Sequence, residues 1–574
     1  MGLEWVAIAF TIFVTIVTSV PIGRYIHKVF AGKRTFLDPI VAPLEGLVLR
    51  FSGVDARREQ TWKQYALSLL VANVFMWLFA FLLLSAQRLL PLNPDRIGAM
   101  EPTLAFNTAA SFTTNTDLQH YGGETGLSTL SQLFVVGFLQ FVTAATGVAA
   151  GIAAMRALAG DRLERVGHFY LDLIRATLRV FLPLALVVGV VLLWQGVPMT
   201  CGGAVRARTL EGGEQTIARG AVASVVAIKQ LGTNGGGYFA SNSAHPYENP
   251  TPLTNLVETW ALAVIPMAMV WALGHFTGRR RLASMLFAVL LAIYLPMVVF
   301  AARQETAGNP ALASAAAAGA GLDQSTGSME GKEVRFGAGL SALWAVTTTA
   351  TSNGSVNGMH DSLTPLGGLI ALCGMWLNAL FGGVGVGFLN LLVFLVVAVF
   401  VAGMMIGRTP EFLGKKIEAK EMKLASLAML WHPLAVLVGT AVACHVWTTA
   451  ASHGHALAWL KNSGPHGFSE MLYEFTSAAA NNGSGFEGLG DDTPFWNIAT
   501  GLVMILSRYI PIIAPLALAG TLAAKPRAPQ TAGTLNVEGA TFGFTLWAVI
   551  LILGLLMFMP VAVLGPIAER LAAG

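Results

Sequence analysis

Charge is scarce in this 574-residue chain: Asp, Glu, Lys and Arg make up 11% of it, against 55% hydrophobic residues. A soluble domain carries about a quarter charged residues, so a large soluble enzyme with an oily core is excluded. Mean hydropathy is +0.64. The net charge of +4 is slight and gives no reason to expect a nucleic-acid partner. Cysteine is nearly absent. Cys201, Cys373 and Cys444 lie far apart and offer neither a disulfide framework nor metal-ligand spacing. There is no GxxxxGK[ST] run, no DKTG phosphorylation motif, no HExxH and no GxSxG elbow. Nothing therefore marks the chain as hydrolysing ATP by itself or as an intramembrane enzyme. The apolar opening from Leu3 to Val20 begins with Glu4 rather than a positive residue and lacks a small-residue cleavage site. It reads as a retained helix, not a signal peptide.

Long hydrophobic runs are what the sequence has in abundance. Crossing a bilayer takes roughly 20 apolar residues, and ten stretches qualify: 3–22, 62–90, 128–156, 168–194, 253–275, 282–302, 364–407, 422–448, 494–523 and 541–564. The seventh is too long for one straight crossing and is interrupted by 381-FGGVGVG-387. The fold class expected is an all-α polytopic membrane protein. Lys and Arg concentrate in alternate loops, which marks those loops as cytoplasmic. The first holds Arg24, Lys28, Lys33, Arg34, Arg50, Arg57, Arg58 and Lys63; later ones hold Arg156, Arg162 and Arg165, then Arg279 to Arg281, then Arg408, Lys415, Lys416, Lys420 and Lys423, then Lys525 and Arg527. Both termini are then expected on the outer side. Outer loops mix signs, as in Arg206, Arg208, Glu211 and Glu214. The small-residue stretch 312–328 reads as a flexible outer loop, and His453 and His455 as part of a solvated turn.

The outer connections repeat a theme. The stretches 113-TTNTD-117, 232-GTNGGGYF-239, 351-TSNGSVNG-358 and 481-NNGSGFEG-488 sit at matched positions, and their residues Asn115, Asn234, Asn353 and Asn482 are separated by 119, 119 and 129 residues. Such a period signals internal duplication. Each loop follows a segment too short to cross the membrane: 103–112, 219–231, 337–350 and 468–480. The unit is a helix, a re-entrant segment and a second helix. Non-helical backbone at membrane depth is tolerated only where it is buried in protein or lines a wet cavity. Backbone carbonyls there can replace the water shell of a cation, and the short helices aim their negative ends at it. The expected filter is Thr114, Asn115, Thr116 and Asp117; Gly232, Thr233, Asn234 and Gly235; Ser352, Asn353 and Gly354; and Asn481, Asn482 and Gly483. Asp117 and Glu487 follow two of the loops and read either as mouth carboxylates or as solvated ones. Gln119 reads as an entrance residue or a surface amide. The alternative for the four loops together is ordinary outer turns.

These residues make the chain resemble the potassium-binding A subunit of Kdp-type potassium-importing P-type ATPases. The likeness runs along 62-WKQYALSLL-70, 91-PLNP-94, 111-SFTTNTD-117, 230-QLGTNGGGYFASNSAHPYENPT-251, 329-MEGKEVRFG-337, 359-MHDSLTPLGG-368, 407-GRTPEFLGKKIEAKEMKL-424 and 464-GPHGFSE-470. A generic pore loop does not need Pro246, Glu248 or Pro250. The resemblance implies the superfamily of potassium transporters, with four repeats in pseudo-fourfold arrangement. The chain then divides into an extra helix and cytoplasmic loop (1–60), pore repeats at 61–160, 161–278, 279–410 and 411–527, and an extra terminal helix (528–574). It also implies K+ as the bound substrate, with no other cofactor. ATP and Mg2+ are then used by a separate pump subunit, small single-span subunits complete the complex, and the setting is the bacterial inner membrane. In the resembling superfamily a loop at the third-repeat break lies beneath the filter, which makes Gly382, Gly383, Gly385 and Gly387 gate residues; close helix packing is the alternative. Arg508, inside the ninth helix, either faces the path below the filter or pairs or snorkels. The basic stretch 408–423 faces the pump subunit or anionic lipid. A self-sufficient potassium channel or ion-coupled transporter of the same superfamily is the competing reading.

Overall fold

The computed structural model describes residues 2–55, 58–310, 312, 322–455, 457–529 and 535–572. Arg57 and most of the loop expected to be flexible, 313–321, lie outside the described residues. Among the described residues ten helices are long and apolar enough to cross a membrane: Gly2–Phe30, Trp62–Leu89, Thr129–Ala159, Phe169–Trp194, Pro252–Phe276, Arg280–Thr306, Val386–Met405, Ala419–Ser452, Pro494–Ala524 and Ala540–Ala572, here spans 1 to 10. Their starts are written locally. Thr61 and Gln64 form a capping box before span 2, and Thr251 and Thr254 do so before span 5, with Pro252 at the first helical position.

Burial separates inner from outer spans. The most apolar windows of spans 3, 5 and 7 are each 78% buried, whereas those of spans 1, 2, 8 and 10 are 28–33% buried. The latter turn their apolar side chains to lipid. Span 3 is rich in Ala and Gly, which lets neighbouring backbones approach closely. Span 1 packs on span 5, where a Cβ on Gly23 would meet the Ala268 carbonyl at 2.5 Å, and Trp260 and Trp271 donate to Thr18 and Ser19. Span 10 lies on spans 6 and 7 and on the half-helix Pro365–Leu377.

Four short helices, Pro102–Thr113, Val222–Leu231, Gly337–Ala350 and Gly464–Ala480, occupy the places expected for re-entrant segments and are named pore helices 1 to 4. The seventh run departs from expectation. It is two helices, Pro365–Leu377 and span 7, with non-helical backbone from 378 to 385. The break starts earlier than the glycines suggest, because Asn378 ends the half-helix in the left-handed region at φ 40°. Gly387 belongs to the first turn of span 7 rather than to the break. The half-helix is anchored at its start by fully buried Glu305, which accepts from Thr364 N and Oγ1 at 2.8 and 2.7 Å and pairs with Lys332 at 2.9 Å.

Two antiparallel hairpins were not anticipated: Val205–Arg208 with Glu214–Ile217, and Glu411–Phe412 with Lys415–Lys416. The basic loops do gather on one face. Arg156 bonds Phe30 O and Asp172, Arg527 bonds Ala159 O, Ala528 N donates to Gly414 O, and Lys525 bonds Glu418 and Glu421.

At the opposite face His466 holds the chain end. Its ring contacts Asp361 and Glu569 at 2.9 Å each, and the two carboxylates push its pKa up to about 10. An unperturbed ring titrates near 6.5. The clamp's stabilisation is therefore complete below about pH 6.5 and is lost as pH rises through about 10. The thermal midpoint of the protein is expected to fall across that window, and His466→Gln is expected to flatten the fall; parallel profiles of the two proteins would refute it.

Candidate functional site

The four repeated loops meet at one place. A Cβ on Gly235 would lie 2.7 Å from both the Gly483 Cα and the Thr116 carbonyl oxygen, and 3.0 Å from the Asn482 oxygen. A Cβ on Gly354 would overlap the Asn482 oxygen and come within 2.8 Å of the Gly235 Cα; one on Gly483 would overlap the Thr116 oxygen. Here glycine is required by close approach of four backbones, and at Gly354 and Gly483 also by φ of +90° and +106°.

The loops share one backbone pattern. Each pore helix ends in a bond reaching back five residues: Thr116 N to Ser111 O, Asn234 N to Lys229 O, Asn353 N to Thr348 O, and Asn482 N to Ser477 O, at 2.8–3.0 Å. The residue before each donor is left-handed: Asn115, Thr233, Ser352 and Asn481, with φ of 48–61°. Thr116, not Asn115, is thus the structural counterpart of the other three asparagines, and the register expected for the first loop is corrected by one residue. Asp117 then stands where the other loops have Gly235, Gly354 and Gly483. No described group donates to the carbonyl oxygens of Thr116, Asn234, Asn353 or Asn482. Buried carbonyls left without donors are uncommon, and such a set on four converging loops suits a cation.

Glycine carbonyls do not supply that set in the second loop. Gly235 O accepts from Asn242 Nδ2 and Gly236 O from Gln140 Nε2, both at 2.6 Å. Gly232 O and Thr233 O accept from Asn115. The asparagine side chains act as struts between repeats. Asn115 reaches the second loop; Asn234 reaches Asn115 Oδ1 and Asp117 Oδ2 (3.0 and 2.6 Å); Asn353 reaches Gln230 O; Asn482 reaches Thr348 O; Ser352 reaches Ala480 O; Asn481 reaches Thr116 Oγ1. The ring of bonds is closed. Thr114 braces it locally through a 2.7 Å contact with Thr116 Oγ1.

Asp117 is fully buried in this ring, not at the mouth, and its Oδ1 has no partner among the described residues. Glu487 is exposed and accepts from Asp361 N at 3.1 Å, which places it at the protein surface. Gln119 is half-buried and accepts from Gly237 N at 2.8 Å, tying the first loop to the second.

The third-repeat break lies directly under the loops. Val384 N donates to Thr233 Oγ1 at 3.0 Å and Gly382 N to Ala350 O at 3.1 Å, while the Cβ position of Gly383 is 3.8 Å from Ser352 and Thr233 side-chain atoms. Gly382 packs on Gly387, and Gly385 on the Gly147 carbonyl, so tightly that no Cβ fits at any of the three. Arg508 is buried beside the same turn of span 3: its Nη2 would lie 3.3 Å from a Cβ on Gly147 and donates to Thr143 O at 3.4 Å. Among the described residues no carboxylate lies within ion-pair distance of it. It is held within the protein by a bond from span 9 to span 3 and does not reach an exposed surface.

Sequence reasoning missed what stands behind the second loop. Lys229, fully buried, pairs with fully buried Glu248 and donates to Asn242 Oδ1 at 2.5 Å, while Asn242 holds Gly235 O. Gln230 and Ser243 donate to Glu258 at 2.8 Å each. The signal was legible: Lys229 is the one charge inside the apolar pore helix 2, and intramembrane charges need partners.

Comparison with known proteins gives three findings. Residues 9–571 match the family described as Potassium-transporting ATPase A subunit. The chain is 50% identical over 576 residues to the potassium-transporting ATPase potassium-binding subunit of Bacteroides fragilis, covering 100% of both, and 50% identical over 568 residues to the subunit of that name from Alicyclobacillus acidocaldarius, covering 99% of both. Its fold is similar to the crystal structure of the potassium transporter TrkH from Vibrio parahaemolyticus, with a TM-score of 0.51 and 14% identity, over 90% of this chain and 98% of that one.

Proposed function

The chain belongs to the family of potassium-transporting ATPase A subunits, and from that membership we propose that it is the potassium-selecting entrance of an ATP-driven import complex. The observation that carries the reading is the set of four donor-free carbonyls, from Thr116, Asn234, Asn353 and Asn482, on loops cross-braced into a closed ring. A braced ring of carbonyls can replace a hydration shell at a fixed size. Asp117, buried beside it, holds the Asn234 amide in place.

A separate P-type ATPase pump subunit supplies the energy, since the sequence has no phosphorylation or nucleotide motif of its own. Small single-span subunits complete the assembly. The face bearing the basic loops is cytoplasmic, which puts both termini outside, in the inner membrane of a bacterium. Exposed Arg408, Lys416, Lys420 and Lys423 around the second hairpin form the docking region for the pump. The turn at 378–385 and Arg508 bar the straight route inward and turn the ion sideways. At roughly 8 Å and an effective dielectric near 20, the Arg508 charge opposes a potassium ion by about 2 kcal/mol. Arg508→Gln is therefore expected to raise ATP-independent potassium leak roughly 30-fold, read as passive 86Rb+ flux in liposomes. An unchanged leak removes Arg508 from the barrier.

The reading is tested by potassium uptake at micromolar external potassium in bacteria lacking their own importers. Uptake is expected only when the chain is expressed with its pump and accessory subunits, and is abolished when the pump cannot be phosphorylated. Equal uptake by the chain alone makes it a self-sufficient channel or symporter and ends the proposal.

A further inference from the structure

Next to the first and fourth filter loops, His120, Glu474 and Asp491 converge from three segments. His120 follows the first filter loop, Glu474 lies on pore helix 4, and Asp491 follows the fourth loop. One ligand atom from each lies within 4.8 Å of the others. His120 Nε2 is 3.0 Å from Glu474 Oε1 and 4.0 Å from Asp491 Oδ2. His120 and Glu474 are buried, while the Asp491 side chain keeps 29% exposure and opens the cluster to the outside.

The tautomer is fixed by the surroundings. Asn497 Nδ2 donates to Thr103 Oγ1 and Asp492 Oδ1, each at 3.2 Å. Its Oδ1 therefore faces His120 Nδ1 at 2.7 Å and must receive a proton from it. With Nδ1 as donor, Nε2 faces two carboxylates, a position open to a proton or to a metal cation. A proton would leave one positive ring against two carboxylates, so the cluster would keep a net negative charge, shared with solvent only through Asp491. A divalent ion on a neutral ring and two carboxylates leaves none. One imidazole and two carboxylates suit zinc or a similar transition ion, whose donors lie about 2.0–2.2 Å from the metal and so roughly 3.3 Å apart in a tetrahedron. The existing spacings bracket that value. An imidazole oriented through its second nitrogen is the usual arrangement around such ions.

We propose that His120, Glu474 and Asp491, oriented by Asn497, form an outward-opening site for a divalent transition-metal ion that ties the first filter loop to the fourth repeat. His466 differs in that its two ring nitrogens each pair with a separate carboxylate, Glu569 and Asp361, so that the ring bridges them as a clamp.

The test uses the purified complex without a histidine tag. It is equilibrated with ZnCl2 at micromolar free zinc, and bound metal is measured by elemental analysis and X-ray absorption. The expected result is about one zinc per chain, ligated by nitrogen and oxygen only, with affinity at least about tenfold weaker in Asp491→Asn and in His120→Gln. Asp491 is partly exposed, so its variant stays informative if His120→Gln does not assemble. Absence of stoichiometric zinc, as for a ring held by a proton alone, sulfur in the zinc shell, or unchanged binding in Asp491→Asn each overturns the proposal.

Discussion

Gly354→Ala is expected to weaken potassium affinity by at least about a hundredfold while the complex still assembles, an effect of roughly 2.7 kcal/mol. Two costs converge on this residue. Its φ of +90° is one that L side chains rarely adopt, worth about 1–3 kcal/mol. The added carbon also overlaps the Asn482 carbonyl, which would have to rotate off the axis. The neighbouring backbones are held by Thr348, Asn353 and Asn482 bonds and cannot all retreat. Gly46→Ala is the control, because its Cβ meets nothing within 4 Å on a helix remote from the filter. The half-saturating potassium concentration for uptake should rise for Gly354→Ala and stay constant for Gly46→Ala. An assembled Gly354→Ala complex with unchanged potassium dependence would remove Gly354 from the filter.

Lys229→Met is expected to cost about 3–5 kcal/mol, because it leaves Glu248 charged and unpaired in a fully buried position. The damage should reach the filter as well: Asn242 loses the ammonium that fixes its amide, and with it the grip on Gly235 O. The double variant Lys229→Met/Glu248→Gln should recover most of the stability, since the Gln oxygen can still accept from Phe239 N. The thermal midpoint of the purified complex checks this. A single variant as stable as the parent would show that the pair contributes nothing.

The membrane architecture was legible because hydropathy and basic loops are long-range averages that survive local error. Ten runs and four interrupted outer connections follow from them directly. The filter loops were legible through the period of their asparagines, yet the first was misregistered by one. TTNTD offers Asn115 as the obvious match, and only the five-residue backbone bond from Thr116 reveals the true counterpart. The sequence named the loop residues expected at the filter, but not which of their oxygens are free to face an ion. In the structure the asparagine amides brace neighbouring repeats, and the second-loop glycines make room for other backbones. The break in the third repeat was placed too late because its first residue, Asn378, is not a glycine. Lys229, Asn242 and Glu248 were missed as a group because their association depends on how the chain folds back after pore helix 2, which no periodicity reports.

The most direct test of the filter is an ion seen in place. Crystals of the complex in Tl+, a potassium mimic with strong anomalous scattering, should show a peak on the axis between the Thr116, Asn234, Asn353 and Asn482 carbonyls, weakened or absent in Gly354→Ala. A peak at full strength elsewhere in the chain, with none at those four oxygens, would contradict the account.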